Sequence, residues 1–377
     1  MAHNTTEKPE IDWPITLFLI ITPIVALVMT PILLVFNGLS WPLIGLLVVY
    51  GGLSNMSITA GYHRLLAHQS YTASLWLKLA YLFVGAGAFQ GSAVKWCSDH
   101  RRHHRFVDTE EDPYNINRGF FFAHMGWLFW KYPLSKRDQF APDLVRDKWI
   151  WFQHRYYVPL AIISGFVVPT LVGWMMGSPL GGFIFGGALR IVITQQTTFL
   201  INSYCHYFGK QTYGKANSAK DSVIVSFFTH GEGYHNFHHH FQADYRNGVR
   251  WYDWDPTKWL IRTMAFIGAA RGLRRVPAEK ILQAQMAEQE RSLLERGVSR
   301  EWVLKLKIQV EESQRRWSEL KMEMVQTREK LKRDSQERMD ELRARYESLR
   351  REIKIAKRDF KSAREQWHIA FRQLAYT

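Results

Sequence analysis

The chain reads as an all-α integral membrane protein, with four transmembrane helices, a histidine-rich cap on one face and a long charged C-terminal helix of coiled-coil character. Three observations predict this class. Four apolar runs are each long enough to span a bilayer, two clusters of three histidines recur at one helical spacing, and the composition changes abruptly near Pro277.

Mean hydropathy alone, −0.23, suggests a soluble protein, but the average mixes two materials. Residues 276–377 hold 24 of the 49 Lys and Arg and 18 of the 34 Asp and Glu. The apolar residues are concentrated in the first 275. We therefore expect two domains, a membrane domain over 1–275 and a charged helical extension over 276–377. The two cysteines, Cys97 and Cys205, exclude a disulfide framework and read as packing residues. The N-terminal ten residues show neither a basic region nor a small-residue cleavage site, so no signal peptide is expected.

Residues 15–36 form an uncharged run of 22, where ~20 suffice to cross a bilayer. Pro23 and Pro31 inside it are tolerable in lipid. After a short turn, residues 41–59 return across the membrane and lead into His63. Residues 75–90 and 120–130 are apolar but short, and read as interfacial or re-entrant segments. Residues 158–177 and 180–201 form the second spanning hairpin, ending at Asn202 and His206. The two outer turns contain no Lys or Arg, whereas 60–157 and everything after 202 are rich in both. That asymmetry predicts a multi-pass protein with both termini and the histidines on the cytoplasmic side. Arg190, inside the fourth span, is costly in lipid and should face the bundle interior in a structural role.

Beyond Pro277 a helix should run to Glu295 and stop at Gly297, with Ser299 capping about 75 residues of charged helix. Apolar residues recur in heptads from Val303 to Leu374, with one slip between Leu331 and Leu342. A soluble coiled coil or helical hairpin is expected, self-associating through 298–377 or docking on the membrane domain. No base-reading motif accompanies its positive charge, so nucleic acid is not an expected partner.

The chemistry lies in the histidines. His235, His238 and His239 sit at 0, +3 and +4, which stacks three imidazoles on one helical face. Taken alone, this run is compatible with a zinc site or with a His-rich accident. The same spacing recurs at His100, His103 and His104, and His63, His68 and His206 bring the candidate ligands to nine. Nine are too many for one tetrahedral zinc. His63 and His68 are five apart, about 140° around an α-helix, and converge only if the helix ends or bends between them. Asn202 lies one turn before His206 and could reach the same centre directly or through a water. Nine neutral imidazoles suit two redox-active metals, iron foremost. A carboxylate-bridged di-iron bundle needs paired Glu-x-x-His motifs; Glu232 to His235 fits, but its only counterpart, Glu365 to His368, lies far off in the tail. No His-Glu-x-x-His motif supports hydrolytic zinc.

The order His-Arg-Leu-Leu-Ala-His, Asp-His-Arg-Arg-His-His, Asn-Ser-Tyr-Cys-His and Gly-Glu-Gly-Tyr-His-Asn-Phe-His-His closely resembles the membrane acyl-CoA desaturases of the stearoyl-CoA desaturase family, bacterial branch, over residues 10–275. The resemblance implies a cytosol-facing di-iron centre bound by His63, His68, His100, His103, His104, His206, His235, His238 and His239, with Asn202 acting through water. It also implies that a cis double bond, usually Δ9, is introduced into a saturated fatty acyl-CoA with O2 and two electrons, at the inner membrane if the chain is bacterial. In that family a Gln, a Trp and a Thr bend the acyl chain, and these match Gln90, Trp96 and Thr198; Asp99 falls on the headgroup side. Ser98 stands where animal enzymes have Arg, Gly91 where they have Asn, and Phe199 where they have Trp. Desaturation of lipid- or carrier-protein-linked acyl chains, and acyl hydroxylation, are alternatives within the superfamily; a non-enzymatic membrane scaffold is the alternative outside it. No haem-binding His-Pro-Gly-Gly motif is present, so a separate electron donor of ferredoxin, rubredoxin or cytochrome b5 type, with its reductase, is expected.

Chain length has its own candidates. Gly51, Asn55 and Thr59 precede His63 in steps of four, so they stay near its face. An acyl chain running from the metals into the membrane would follow that face, and Gly51 lies roughly 18 Å from His63 at 1.5 Å per residue. The resemblance places there a tyrosine that helps close the tunnel in animal enzymes.

Overall fold

The computed structural model describes residues 10–131, 140–333 and 339–375. These fall into two compact units that divide between Val276 and Pro277.

Among the described residues of the first unit, four helices are long and apolar enough to cross a membrane: α1 (Trp13–Asn37), α2 (Trp41–Ala67), and two more at Tyr157–Met175 and Pro179–Tyr207. The chain is an integral membrane protein. Asp12 caps α1 by accepting from the Ile15 amide, and Gly38, at φ +68°, ends it. Only Leu19, Thr22, Ala26 and Leu33 of α1 are buried, while Leu17, Ile20, Ile24, Leu27 and Val28 are exposed. That apolar outer face is a liability in water and is what a lipid-facing helix requires.

Two helices, α3 (Leu75–Ala86) and α4 (Ala93–Phe106), lie between the two spanning pairs along the chain. α3 is too short to span and packs on α2, so closely that a side chain at Gly61 would stand 2.6 Å from Tyr81 Cβ. The third and fourth spans are α5 (Tyr157–Met175) and α6 (Pro179–Tyr207). A side chain at Gly173 would meet Gly182 Cα at 2.4 Å; such backbone contact through small residues is how helices associate in lipid, where apolar side chains gain little by leaving their surroundings. The 182–189 stretch of α6 packs against α1, α2 and α5 and forms the centre of the bundle. The short α7 (His235–His240) and α8 (Pro256–Phe266) follow the spans, and one antiparallel pair joins Thr72–Ala73 to Ala270–Arg271.

α2 winds as an α-helix to Met56 and as a wider π-helix from Ser57 to Ala67. The His68 amide donates to the His63 carbonyl at 3.0 Å, so five residues close one turn. The helix ends between His63 and His68, at Ala67, as their convergence required. The wider turn, which the sequence did not foretell, completes their alignment, and their ring centroids lie 4.8 Å apart.

The second unit holds α9 (Ala278–Glu295), α10 (Arg300–Arg333) and α11 (Met339–Ala375). The seam read as one slipped heptad run is carried by two helices: Trp317 stacks on Phe360 at 5.5 Å and Arg345 pairs with Glu323 at 2.7 Å, so α10 and α11 run antiparallel. Folding back lets the seam bury itself within one chain. Val303, Val310, Ala363 and Trp367 form its core with Leu282, Met286 and Leu293 from α9. Residues 334–338, where the slip falls, lie outside the described residues, as does the side chain of Leu374.

Candidate metal centre

Nine histidines converge into two groups. His63, His68, His100, His104 and His238 form one, and His103, His206, His235 and His239 the other; within each group the ligand atoms lie within 4.8 Å of one another. Each triad serves both. The 0 and +4 members, His100 and His104, enter the five-histidine group while His103 at +3 crosses to the four. In α7 the roles are exchanged: His235 and His239 enter the four and His238 joins the five. The helix explains the pattern, because +3 and +4 lie about 100° apart around the axis, one on either side of position 0.

The ring nitrogens face each other. Nε2 to Nε2 distances are 3.0 Å for His63 and His238, 2.7 Å for His68 and His100, and 2.9 Å for His104 and His238. In the other group they are 3.0 Å for His206 and His235, 3.0 Å for His235 and His239, and 3.3 Å for His103 and His239. Neutral imidazoles carry one N–H each, so nitrogens meeting at one point cannot all find donors among themselves. Metal–nitrogen bonds of about 2.1 Å at right angles would place the nitrogens roughly 3.0 Å apart. The donor set fits a cation in each group.

Burial favours the neutral form in both groups. It pushes His68, His100, His104, His238 and His239 well below the ordinary histidine value, reinforced by their neighbours, and lowers His235 to about 3. Neutral imidazole is the metal-binding form.

The residues that hold these rings were missed or misread in the sequence. Glu232, weighed as a Glu-x-x-His ligand, lies behind His63, its Oε2 2.8 Å from Nδ1, and binds Arg64 through Oε1 at 2.9 Å. Burial alone would raise its carboxyl, but His63 and Arg64 outweigh that and hold it at about 2. Asp112 lies 2.8 Å from His103 Nδ1, and Ser218 Oγ lies 2.7 Å from His206 Nδ1. The Tyr114 hydroxyl is 3.4 Å from His100 Nδ1. Asp221 caps α7 by accepting from the Asn236 and Phe237 amides. No periodicity marks these residues; the only sequence signal was an acidic turn closely following a histidine triad.

Beside the five-histidine group, Gln90 donates to Thr198 Oγ1 at 2.9 Å and accepts from Trp96 Nε1 at 3.2 Å. Trp96 stacks on His100 at 5.0 Å. Asp99 pairs with Lys95 at 3.2 Å. Asn202 is half-buried one turn before His206 on α6. Asn55 donates to the Phe228 carbonyl at 3.3 Å, and a side chain at Gly51 would contact Arg190 Cγ at 3.6 Å. An opening of about 330 Å³, lined by His68, Arg101, His104, Arg105 and Gln242 among others, adjoins the five-histidine group. His240 is exposed and belongs to neither group.

The family model for fatty acid desaturases matches residues 39–270, more than half of the chain and all nine histidines. The chain belongs to the fatty acid desaturase family. Acyl-CoA desaturase 1 of Saccharomyces cerevisiae is 40% identical over 257 residues, 68% of this chain and 50% of its own length. A probable acyl-CoA desaturase of Schizosaccharomyces pombe is 40% identical over 251 residues, 66% of this chain and 52% of its own. Stearoyl-CoA desaturase of Homo sapiens is 39% identical over 242 residues, 62% of this chain and 67% of its own. The chain thus spans about half the length of the two yeast relatives.

Proposed function

We propose that this desaturase introduces a cis double bond, at Δ9, into saturated fatty acyl-CoA at a di-iron centre facing the cytoplasm, with both chain termini on that side. The observation that carries the reading is the pair of convergent histidine groups beside the hydrogen-bonded Trp96–Gln90–Thr198 chain. His63, His68, His100, His104 and His238 would hold one iron. His103, His206, His235 and His239 would hold the other, with Asn202 supplying its further contact through water. Iron, when bound, supplies with O2 the oxidising power that an unactivated C–H bond requires and protein side chains lack. One O2, two electrons and two protons, together with the two hydrogens taken from the chain, leave as two waters.

The protein's own part is placement. Gln90, held from both sides by Thr198 and Trp96, fixes the wall against which one C–C bond of the acyl chain lies near the metals. Trp96, stacked on His100, ties that wall to a ligand. The electrons come from a separate small redox protein of ferredoxin, rubredoxin or cytochrome b5 type and its reductase. The engagement of Asp99 by Lys95, together with Gly91 and Ser98 on the headgroup side, favours a second reading in which the acyl chain is already esterified in lipid. Expression in a host unable to make unsaturated fatty acids, with double-bond positions determined by mass spectrometry, tests the activity. Labelled stearoyl-CoA given to the purified enzyme with a reducing system separates the two donors.

Gly51 and Asn55 would line the far end of the acyl site. Gly51→Phe is expected to shift the products toward shorter chains without moving the double bond. An unchanged ratio of C16 to C18 products, in a variant that still turns over, removes Gly51 from that role.

The extension, 276–377, is proposed as a separate domain that self-associates through 298–377. It contributes none of the nine histidines. Its deletion should therefore leave bound iron and turnover in detergent intact while reducing the size of the particle seen in sedimentation. Loss of iron on deletion would refute that independence.

A further inference from the structure

The turn 108–114, which follows α4, reaches three site histidines. Asp112 lies against His103 Nδ1 and accepts also from the Tyr114 and Asp108 amides, at 3.2 and 3.0 Å. Asp108 accepts from the Ser218 amide at 2.7 Å and from the Ser218 hydroxyl. With its proton committed to Asp108, Ser218 Oγ can only accept from His206 Nδ1, which makes a His206–Ser218–Asp108 relay. The Tyr114 ring lies tilted against that of His103, centroids 4.4 Å apart, and its hydroxyl is near His100. Asp108 does this from the left-handed region, φ +65°, which a non-glycine residue adopts only at a cost that its surroundings must offset.

The two groups are therefore backed unequally. Two of the four histidines in the smaller group lean on carboxylates, one directly and one through a hydroxyl. In the larger group one of five does so, and that carboxylate, Glu232, is shared with the Arg64 guanidinium. A carboxylate accepting from Nδ1–H raises the basicity of the opposite nitrogen and fixes the tautomer that presents it. A cation beside the carboxylate draws that effect off.

We propose that Asp112, and Asp108 acting through Ser218, are positioning residues that strengthen donation by His103 and His206, so that the two metal positions, already unlike in ligand number, are also tuned by separate carboxylates. The inference rests on the di-iron reading of the site. It implies that substitutions in the turn act on one ion and those at Glu232 on the other.

The test is Mössbauer spectroscopy and iron content of the full-length chain, purified in detergent and loaded with 57Fe. The wild-type ferrous protein should give two iron ions and two resolvable doublets. Asp112→Asn should change one doublet only, with a roughly 10–100-fold weaker affinity for that one ion, and Asp112→Glu should restore it. Ser218→Ala, which removes one hydroxyl and leaves the turn's carboxylates in place, should move the same doublet by less. Glu232→Gln should move the other. If Asp112→Asn and Ser218→Ala change both doublets alike, or neither, in protein that holds two irons, the inference fails. If the wild-type chain does not hold two irons, the di-iron reading fails, and this inference with it.

Discussion

Replacing His239 by alanine is expected to abolish desaturation while leaving the chain in the membrane. His239 lies in the four-histidine group, its Nε2 3.0 Å from that of His235 and 3.3 Å from that of His103. Removing it takes one of four imidazoles from a buried site whose remaining nitrogens still point at one another. Loss of a residue that merely orients a ligand costs roughly 10–100-fold in affinity or activity, and loss of a ligand should exceed that. The spans are untouched, because His239 sits on the short cap helix α7. His240→Ala, one residue on, is the control: its ring is exposed and outside both groups, so activity and iron content should stay near wild type. Products are read by gas chromatography of cellular fatty acids and metal by iron per chain. Near-normal turnover with two irons in His239→Ala would remove His239 from the site, and the same logic applies to His103→Ala and His206→Ala.

The contrast between His239 and His240 marks what could be read from sequence. Spacing on a helix selects His239 and rejects His240, since 0, +3 and +4 share a face that +5 leaves. Spacing brought the two triads into the candidate set, and the arrangement of the four spans, which puts every histidine group on one face, added His63, His68 and His206. It could not sort them into groups, because His103 and His238 leave their own triads for the opposite group, and that depends on where α4 and α7 sit relative to each other. The alignment of His63 with His68 was hidden for a different reason. Whether a helix winds with four or five residues per hydrogen-bonded turn is decided by packing, here of α2 against α3 through Gly61 and Tyr81, and residues 57–67 carry no local mark of it. Glu232 and Asp112 were hidden because a supporting carboxylate needs only proximity in space. Asp112 is nine residues from His103, and Glu232 is 169 residues from His63. The four spans were legible because lipid imposes one rule on every residue in them, whereas in the extension heptad periodicity fixed which residues are buried but not whether they meet another chain or the same one.

Arg190→Leu is expected to be the most destabilising single change in the membrane bundle. The guanidinium is fully buried, and its Nε donates to the Gly186 carbonyl at 2.6 Å. Nη1 donates to Ser54 Oγ at 2.8 Å, and Nη2 to the carbonyls of Gly87 and Gly165 at 2.8 and 3.2 Å. The Tyr50 ring lies 4.9 Å away. One side chain thus ties α6 to α2, to α5 and to the loop that follows α3, at a depth where water cannot replace it. Leucine has similar bulk near the backbone but leaves these neutral acceptors unpaired, and each buried acceptor left without a donor costs roughly 1–3 kcal/mol. Thermal unfolding followed by detergent size exclusion should show Arg190→Leu melting far below wild type or failing to yield a monodisperse peak. A lysine keeps the charge but presents its donors from one point, without the planar fork that reaches three segments at once, so Arg190→Lys should fall between. Its effect should extend to the chemistry. Gly87 stands three residues before Gln90, and Gln195, from the same helix as Arg190, donates to the Phe89 carbonyl at 2.8 Å. Loosening that loop would loosen the wall proposed to select a C–C bond, and on that reading Arg190→Lys should give a second double-bond position among its products, read by mass spectrometry. A lysine variant with lowered stability and a single unaltered product would confine Arg190 to holding the bundle together.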